Sequence, residues 1–244
     1  MRAVEEHGEA DDLNQVVARL VGDEPLDRRT RAGLVGRLAV LLAGRPVPHV
    51  MDAGRRLVDV VVEVAPHIPI RDRATLREHH HGAAGDELAE MLIATASRVT
   101  GAIGAAGGLL STVEMAAPPL LLSAPVQIAA ETLAVVAVEV KLIGELHEVY
   151  GEVPATASTA QAAAGYLGAW VRRRAIDPFT GSGGMSGALG GAARRELRQR
   201  LVRRAGRNMT TVVPFLAGAV AGAALNQRET RRLGERIVKD LRRR

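Results

Sequence analysis

Apolar residues recur along this chain at the three-and-four spacing of helices. Leu13, Val16, Val17, Leu20 and Val21 predict an amphipathic helix over 11–22 that ends at Gly22. Leu34, Val35, Leu38, Leu41 and Leu42 predict a second over 27–43, stopped by Gly44 and the Pro46/Pro48 pair. A third, over 50–65, places Leu57, Val58 and Val61 on one side before Pro66 and Pro69. All three have charged outer faces, as helices of a water-facing protein do. Residues 66–82 then form a polar connector, and the pattern divides into subdomains 1–82 and 83–244.

From Asp86 the texture changes. Leu88, Met91, Leu92, Val99 and Ile103 continue a helical stripe into a charge-free run, Val99–Val113, rich in glycine and alanine. A second charge-free run, 115–130, is broken by Pro118, Pro119 and Pro125. Residues 126–150 predict the longest helix, apolar on every side from Leu133 to Val138 and therefore central and buried. Glu131, Glu139, Lys141 and Glu145 leave it a narrow polar strip, with Lys141 and Glu145 spaced to pair at the surface. A further helix is expected over 154–174, with Ala163, Tyr166, Leu167, Trp170 and Val171 on one side.

The stretch 209–226 sharpens this picture. No charge interrupts 208–227, and small residues recur four apart at Gly218 and Gly222, as they do at Gly104 and Gly108. Such ridges let two helix backbones approach closely. The run has the length of a membrane span. Pro214 near its start, Asn226 at its end and the matching ridge at 104–108 favour packing within the chain over spanning.

Composition fits close-packed helices. Aromatic residues are 2% of the chain, Ala, Val and Leu dominate its apolar 47%, and glycine adds 26 residues more. Small side chains fill little volume, so the expected fold is an all-α multi-helix bundle with Ala/Gly-rich core helices in near contact. There is no cysteine, which removes disulfides and thiolate metal sites and fits a reducing compartment. The first twelve residues are acidic and polar, without the basic-then-apolar pattern of a signal peptide.

The net charge of +5 conceals an asymmetry. Residues 172–244 hold 18 basic and 5 acidic residues, a net of +13, which leaves −8 on the first 171. Arg194, Arg195, Arg198, Arg200, Arg203, Arg204 and Arg207 flank a thin apolar stripe on one basic amphipathic segment. The tail repeats it, with Leu233, Ile237 and Leu241 on one side and Arg242, Arg243 and Arg244 at the end. Anionic lipid surfaces attract such helices. Nucleic acid ranks below lipid, because the region lacks aromatics that stack on bases.

Candidate chemistry is sparse. Glu114 stands alone among about thirty uncharged residues and is the candidate buried acid, with a helix-end cap as its plain alternative. His79, His80 and His81 are adjacent, so they point different ways, and no second His or Cys cluster lies nearby; neither a metal site nor a cofactor is expected. The glycine-rich 177–191 lacks the lysine and preceding strand of a phosphate loop and reads as a connector.

Three stretches carry a resemblance: Leu142–Gly151, ending in Tyr-Gly; Val113–Leu122, with its acid and prolines; and Val213–Asn226, followed by Thr230 and Gly234. In this order they resemble the EcsC family of bacterial proteins, over about residues 85–240. The resemblance implies a helical protein near membranes, associated with a transporter operon, and it brings no catalytic motif. Here Glu114 stands four positions before Pro118, where the family pattern sets an acid next to a proline.

The expectation is a non-enzymatic accessory or scaffold protein, cytoplasmic and peripheral to the inner membrane, with an anionic lipid surface and a membrane transporter complex as partners. Two alternatives stand behind it: a soluble hydrolase-like enzyme using Glu114, and nucleic-acid binding through the arginine helices.

Overall fold

The computed structural model describes residues 2–22, 24–44, 59–114, 124–152, 162, 165–170 and 215–243, with side chains over most of that range. The protein is all-α, a bundle of helices packed on one another. In chain order the helices are α1 (Arg2–Val21), α2 (Arg28–Gly44), α3 (Arg73–His79), α4 (Gly85–Glu114), α5 (Ala124–Tyr150) and α6 (Phe215–Leu241). Shorter helical stretches cover 59–64 and 165–170.

Local chemistry accounts for the helix starts. The Asp27 carboxylate accepts a hydrogen bond from the Thr30 amide at 2.7 Å, and Asp72 accepts one from the Thr75 amide at 2.8 Å. Each aspartate satisfies an amide that the first turn leaves without a partner. Those bonds hold both carboxyls below the usual aspartate range. The Asp72 cap builds α3 inside the stretch that reads as a polar connector, and α3 buries Leu76 completely.

α5 is the axis of the bundle. Every residue from Thr132 to Leu146 is buried, because other helices cover α5 on all sides. α1 and α2 lay Leu13, Val17, Leu20, Val35 and Leu38 into the same cluster that holds Ile143, Leu233 and Ile237. The two halves of the sequence therefore share one core.

α4 and α6 make the most extensive helix–helix contact among the described residues. They run antiparallel: Gly104 meets Gly222, Ile93 meets Gly234, and Asp86 meets Arg242. A Cβ on Gly104 would lie 2.7 Å from Asn226 Nδ2 and 3.0 Å from the Gly222 backbone. One on Gly234 would lie 2.5 Å from Ile93 Cγ1. The small-residue ridge at Gly104 and Gly222 is thus a close contact between backbones. Gly108 and Gly218 stand on the same two helices, but their surroundings lie outside the described residues. Met91, placed on the core side by the sequence stripe, is instead 39% exposed; the wide buried face of α4 is carried by Leu88, Ala89, Leu92, Ile93, Ala96 and Ile103. α6 joins the Gly/Ala run and the basic tail in one 27-residue helix. Among the described residues no helix is long and apolar enough to cross a membrane.

Three helix ends are tied together by one carboxylate. Asp86, at the start of α4, accepts from the Tyr150 hydroxyl at 2.6 Å and from Arg242 Nε at 2.9 Å. The Tyr150 hydrogen bond, then Arg242, holds Asp86 below its usual range. Burial, then Asp86, pushes the Tyr150 phenol up.

Two outcomes are expected. Gly104→Ala forces α4 and α6 apart and costs about 1–3 kcal/mol in urea unfolding. Gly33→Ala, on an open face of α2, stabilises by about 0.5–1 kcal/mol. Equal effects at the two positions would contradict the close approach. For the helix-end lock, the lowered Asp86 contributes above about pH 4 and is lost as pH falls below it; the raised Tyr150 contributes below about pH 10 and is lost above it. Protection of the last-turn amides of α6, measured as the ratio of intrinsic to observed exchange rate, is accordingly greatest between about pH 5 and 9, and Asp86→Asn removes the acid limb.

Candidate functional site

The polar strip of α5 is turned inward. Glu139 is fully buried, and its two oxygens accept from the indole Nε1 of Trp170 at 2.6 Å and from the Thr230 hydroxyl at 2.7 Å. Trp170 is the chain's single tryptophan, and Thr230 lies on the α6 face that also carries Gly222, Asn226 and Gly234. Eight residues earlier on α5, Glu131 accepts from Asn226 Nδ2 at 3.2 Å. The Asn226 backbone carbonyl in turn receives the Thr100 hydroxyl of α4 at 3.5 Å. A buried carboxylate with both oxygens bonded is satisfied, and this one pins α5, α6 and the 165–170 stretch in register.

A second group of charges lies further along α5. Arg71 grips Glu145 with two parallel bonds, Nε to Oε1 at 2.7 Å and Nη2 to Oε2 at 3.0 Å. Lys141 Nζ lies 3.3 Å from the same Oε1 and donates to the Pro69 carbonyl at 3.0 Å. The Lys141–Glu145 pair does form, but it is buried rather than at the surface, with Lys141 7% and Glu145 3% exposed. Gly144 is the reason. A Cβ there would lie 2.6 Å from Ile70 Cδ1, so the missing side chain lets the 69–71 segment lie flat on α5 and deliver Arg71.

These charges line a cavity of about 560 Å³ between the end of α1, the start of α2, the end of α3, and α4 and α5. Leu20, Leu92, Val99, Val138 and Leu142 form its apolar wall. Arg31, Arg71 and Lys141 supply cations, Glu24 and Glu145 acids, and His79 and His80 complete it. Arg31 differs from the other two cations. Among the described residues its Nε, shut off from solvent, has no hydrogen-bond partner, and burial pulls the guanidinium below its usual pKa.

The positions singled out in the sequence fare unequally. Gly104 and Gly222 meet at the α4–α6 contact. Arg242 is committed to Asp86, whereas Arg243 is exposed just beyond α6. The surroundings of Glu114, the last residue of α4, lie outside the described residues, as do Arg194, Arg195, Arg198, Arg200, Arg203, Arg204, Arg207 and Arg244. The histidine triplet separates: His79 and His81 are exposed, and His80 is half-buried at the cavity. Among the described residues no three His, Asp or Glu side chains converge as metal ligands. His147 instead lends Nδ1 to the Ile143 carbonyl at 2.7 Å and lies against the Tyr166 ring, 5.3 Å between centroids. Glu139, Arg71 and Arg31 carry no local signal in the sequence, since each is defined by a partner or a gap far along the chain. No protein-family model, curated protein or solved structure matches this chain.

Removing Glu145 leaves two cations facing each other in a largely apolar setting. Glu145→Ala is expected to lose about 3 kcal/mol in urea unfolding, the low end for breaking a buried pair, because Arg71 keeps some water access. Replacing Arg71, Lys141 and Glu145 together by Met removes every charge of the group and recovers more than half of that loss. A single variant as stable as the parent would show the pair to be idle.

Proposed function

We propose that this protein is a non-enzymatic, EcsC-like helical scaffold that rests on an anionic membrane surface through its C-terminal basic face. The observation that carries the reading is the division of α6 into two opposite faces. Gly222, Asn226, Thr230, Leu233, Ile237 and Leu241 lie on one side, all but Gly222 buried. Arg228, Arg232 and Lys239 stand on the other, exposed, at i, i+4 and i+11. The core face fixes the helix, so the cations are presented in a constant orientation. Arg231 is held by Glu90 and Glu235, and Arg232 by Glu229, which tempers the charge without covering it.

Lipid headgroups satisfy such a face without a shaped pocket, at about 1 kcal/mol for each basic residue near the surface. The seven arginines of 194–207 would extend the same attraction. Docking of this kind leaves the bundle intact and places a transporter's cytoplasmic face within reach of α6.

The test is sedimentation with vesicles. The protein is expected to bind vesicles containing phosphatidylglycerol at low salt, to ignore neutral phosphatidylcholine vesicles, and to be released at high salt. Replacing Arg228, Arg232 and Lys239 by Ala weakens binding about a hundredfold, at about fivefold per residue. Equal binding to both vesicle types, or tighter salt-sensitive binding to DNA or RNA, would overturn the proposal.

A further inference from the structure

The cavity beside α5 has a chemistry that the membrane-facing surface does not explain. Arg71, Lys141 and Glu145 together carry one positive charge, and Glu145 is already shared between the two cations. Arg31 adds a second charge. The other acid on the wall among the described residues, Glu24, is exposed. Arg31 is therefore a half-buried guanidinium beside an apolar wall, its Nε shut off from water and unbonded among the described residues. An arrangement of that sort lowers stability in the empty protein, because desolvation is not offset by a partner.

We infer that the cavity binds a small amphiphilic anion, its carboxylate or phosphate head on Arg31 and its apolar body along Leu20, Leu92, Val99, Val138 and Leu142. Each part of the ligand answers a feature of the site. An acidic head pairs with the part of the Arg31 guanidinium that lines the cavity and neutralises its charge, the kind of charge-assisted contact that guanidinium makes best. The apolar body replaces water against the leucine and valine wall. Lys141 and Arg71, held in place by Glu145 and the Pro69 carbonyl, add a further net positive charge to the lining. A volume of about 560 Å³ lies within the range of small-molecule pockets, so a chain of about ten carbons with its head group fits. His80 stands at the same wall, on the turn where His81 and Gly82 adopt left-handed backbone.

The head group has two chemical sources, and the apolar body could bind without either, so the experiment uses four probes on the full chain below their micelle concentrations. Decanoate and decyl phosphate carry the two heads, decanol has the body alone, and inorganic phosphate has the head alone. Thermal unfolding and titration calorimetry are expected to show binding of at least one acid, with little or none for decanol and inorganic phosphate. Which of the two acids binds more tightly identifies the head. Arg31→Met is expected to weaken that acid by about tenfold or more while leaving the empty protein as stable as the parent or more so. The variant lacking Arg228, Arg232 and Lys239 retains the acid's affinity, which separates the cavity from the basic face of α6. Decanol binding as tightly as the acids, neither acid binding, or undiminished affinity in Arg31→Met would each overturn the inference. Marked destabilisation of the empty Arg31→Met protein would do so too, because it would make Arg31 a structural support. The comparison of acids with decanol on the parent protein decides the matter by itself should that variant not fold.

Discussion

Two glycines set how near α4 and α6 come. Gly104 has no room for a Cβ against the Gly222 backbone and Asn226, and every contact further along the antiparallel pair inherits that spacing. Short polar side chains work as connectors only at such a distance. The Thr100 hydroxyl reaches the Asn226 carbonyl, Asn226 reaches Glu131, and Thr230 reaches Glu139. Of these, the Thr100 bond crosses the α4–α6 pair itself, while Asn226 and Thr230 carry the same helix on to α5, where an unmade bond would leave the buried Glu139 short of a partner. Glycine on one helix and polar residues on the next are therefore two halves of one device. It substitutes for the bulky aromatic packing that this composition, with 2% aromatics, does not supply.

The same logic explains the charge inside α5. An apolar helix can be buried in several rotations at similar cost, because leucine, valine and alanine are nearly interchangeable as fillers. Glu139 removes that freedom. Only one rotation offers it both Trp170 and Thr230, and only one offers Glu145 both Arg71 and Lys141. The carboxylates contribute selection among packings more than net stability, in keeping with the near cancellation of desolvation and pairing in buried ion pairs.

This also defines how far the sequence could be read. Leu13, Val16, Val17, Leu20 and Val21 lie in the core as their spacing implies, and the all-apolar 133–138 is buried on every side, since burial of a helix face is a local property of the pattern. The close approach of Gly104 and Gly222 was legible for the same reason. Met91 was misplaced because alanine and glycine blur the boundary of the buried face on α4, and two partner helices widen it. The polar strip was misread more fundamentally. Glutamates near lysine on a long helix ordinarily mark solvent, and what draws these inward stands 31, 91 and 74 residues away, at Trp170, Thr230 and Arg71. Tertiary contacts of that range leave no periodic trace. The cavity is less legible still, being a space between five elements. The Asp72 cap alone could have revealed α3, where a run of polar residues reads as a connector.

The arginines show most plainly how partners, rather than residue type, assign a role. Arg71 and Arg242 each meet a carboxylate delivered by another helix, so each is a strut: one fixes the 69–71 segment to α5, the other fastens the end of α6 to the start of α4. Arg228 and Arg232 stand in solvent on a helix whose opposite face is locked in the core, so their charge is available but unfocused. Arg31 belongs to neither group. It is half-buried, and its inner Nε is shut off from water yet has no partner among the described residues. Folding alone gives no reason to keep a guanidinium there, because methionine would fill the same volume without the desolvation penalty. A cation with a shielded, unbonded Nε on the wall of a cavity of ligand size is what the inferred anion site would account for.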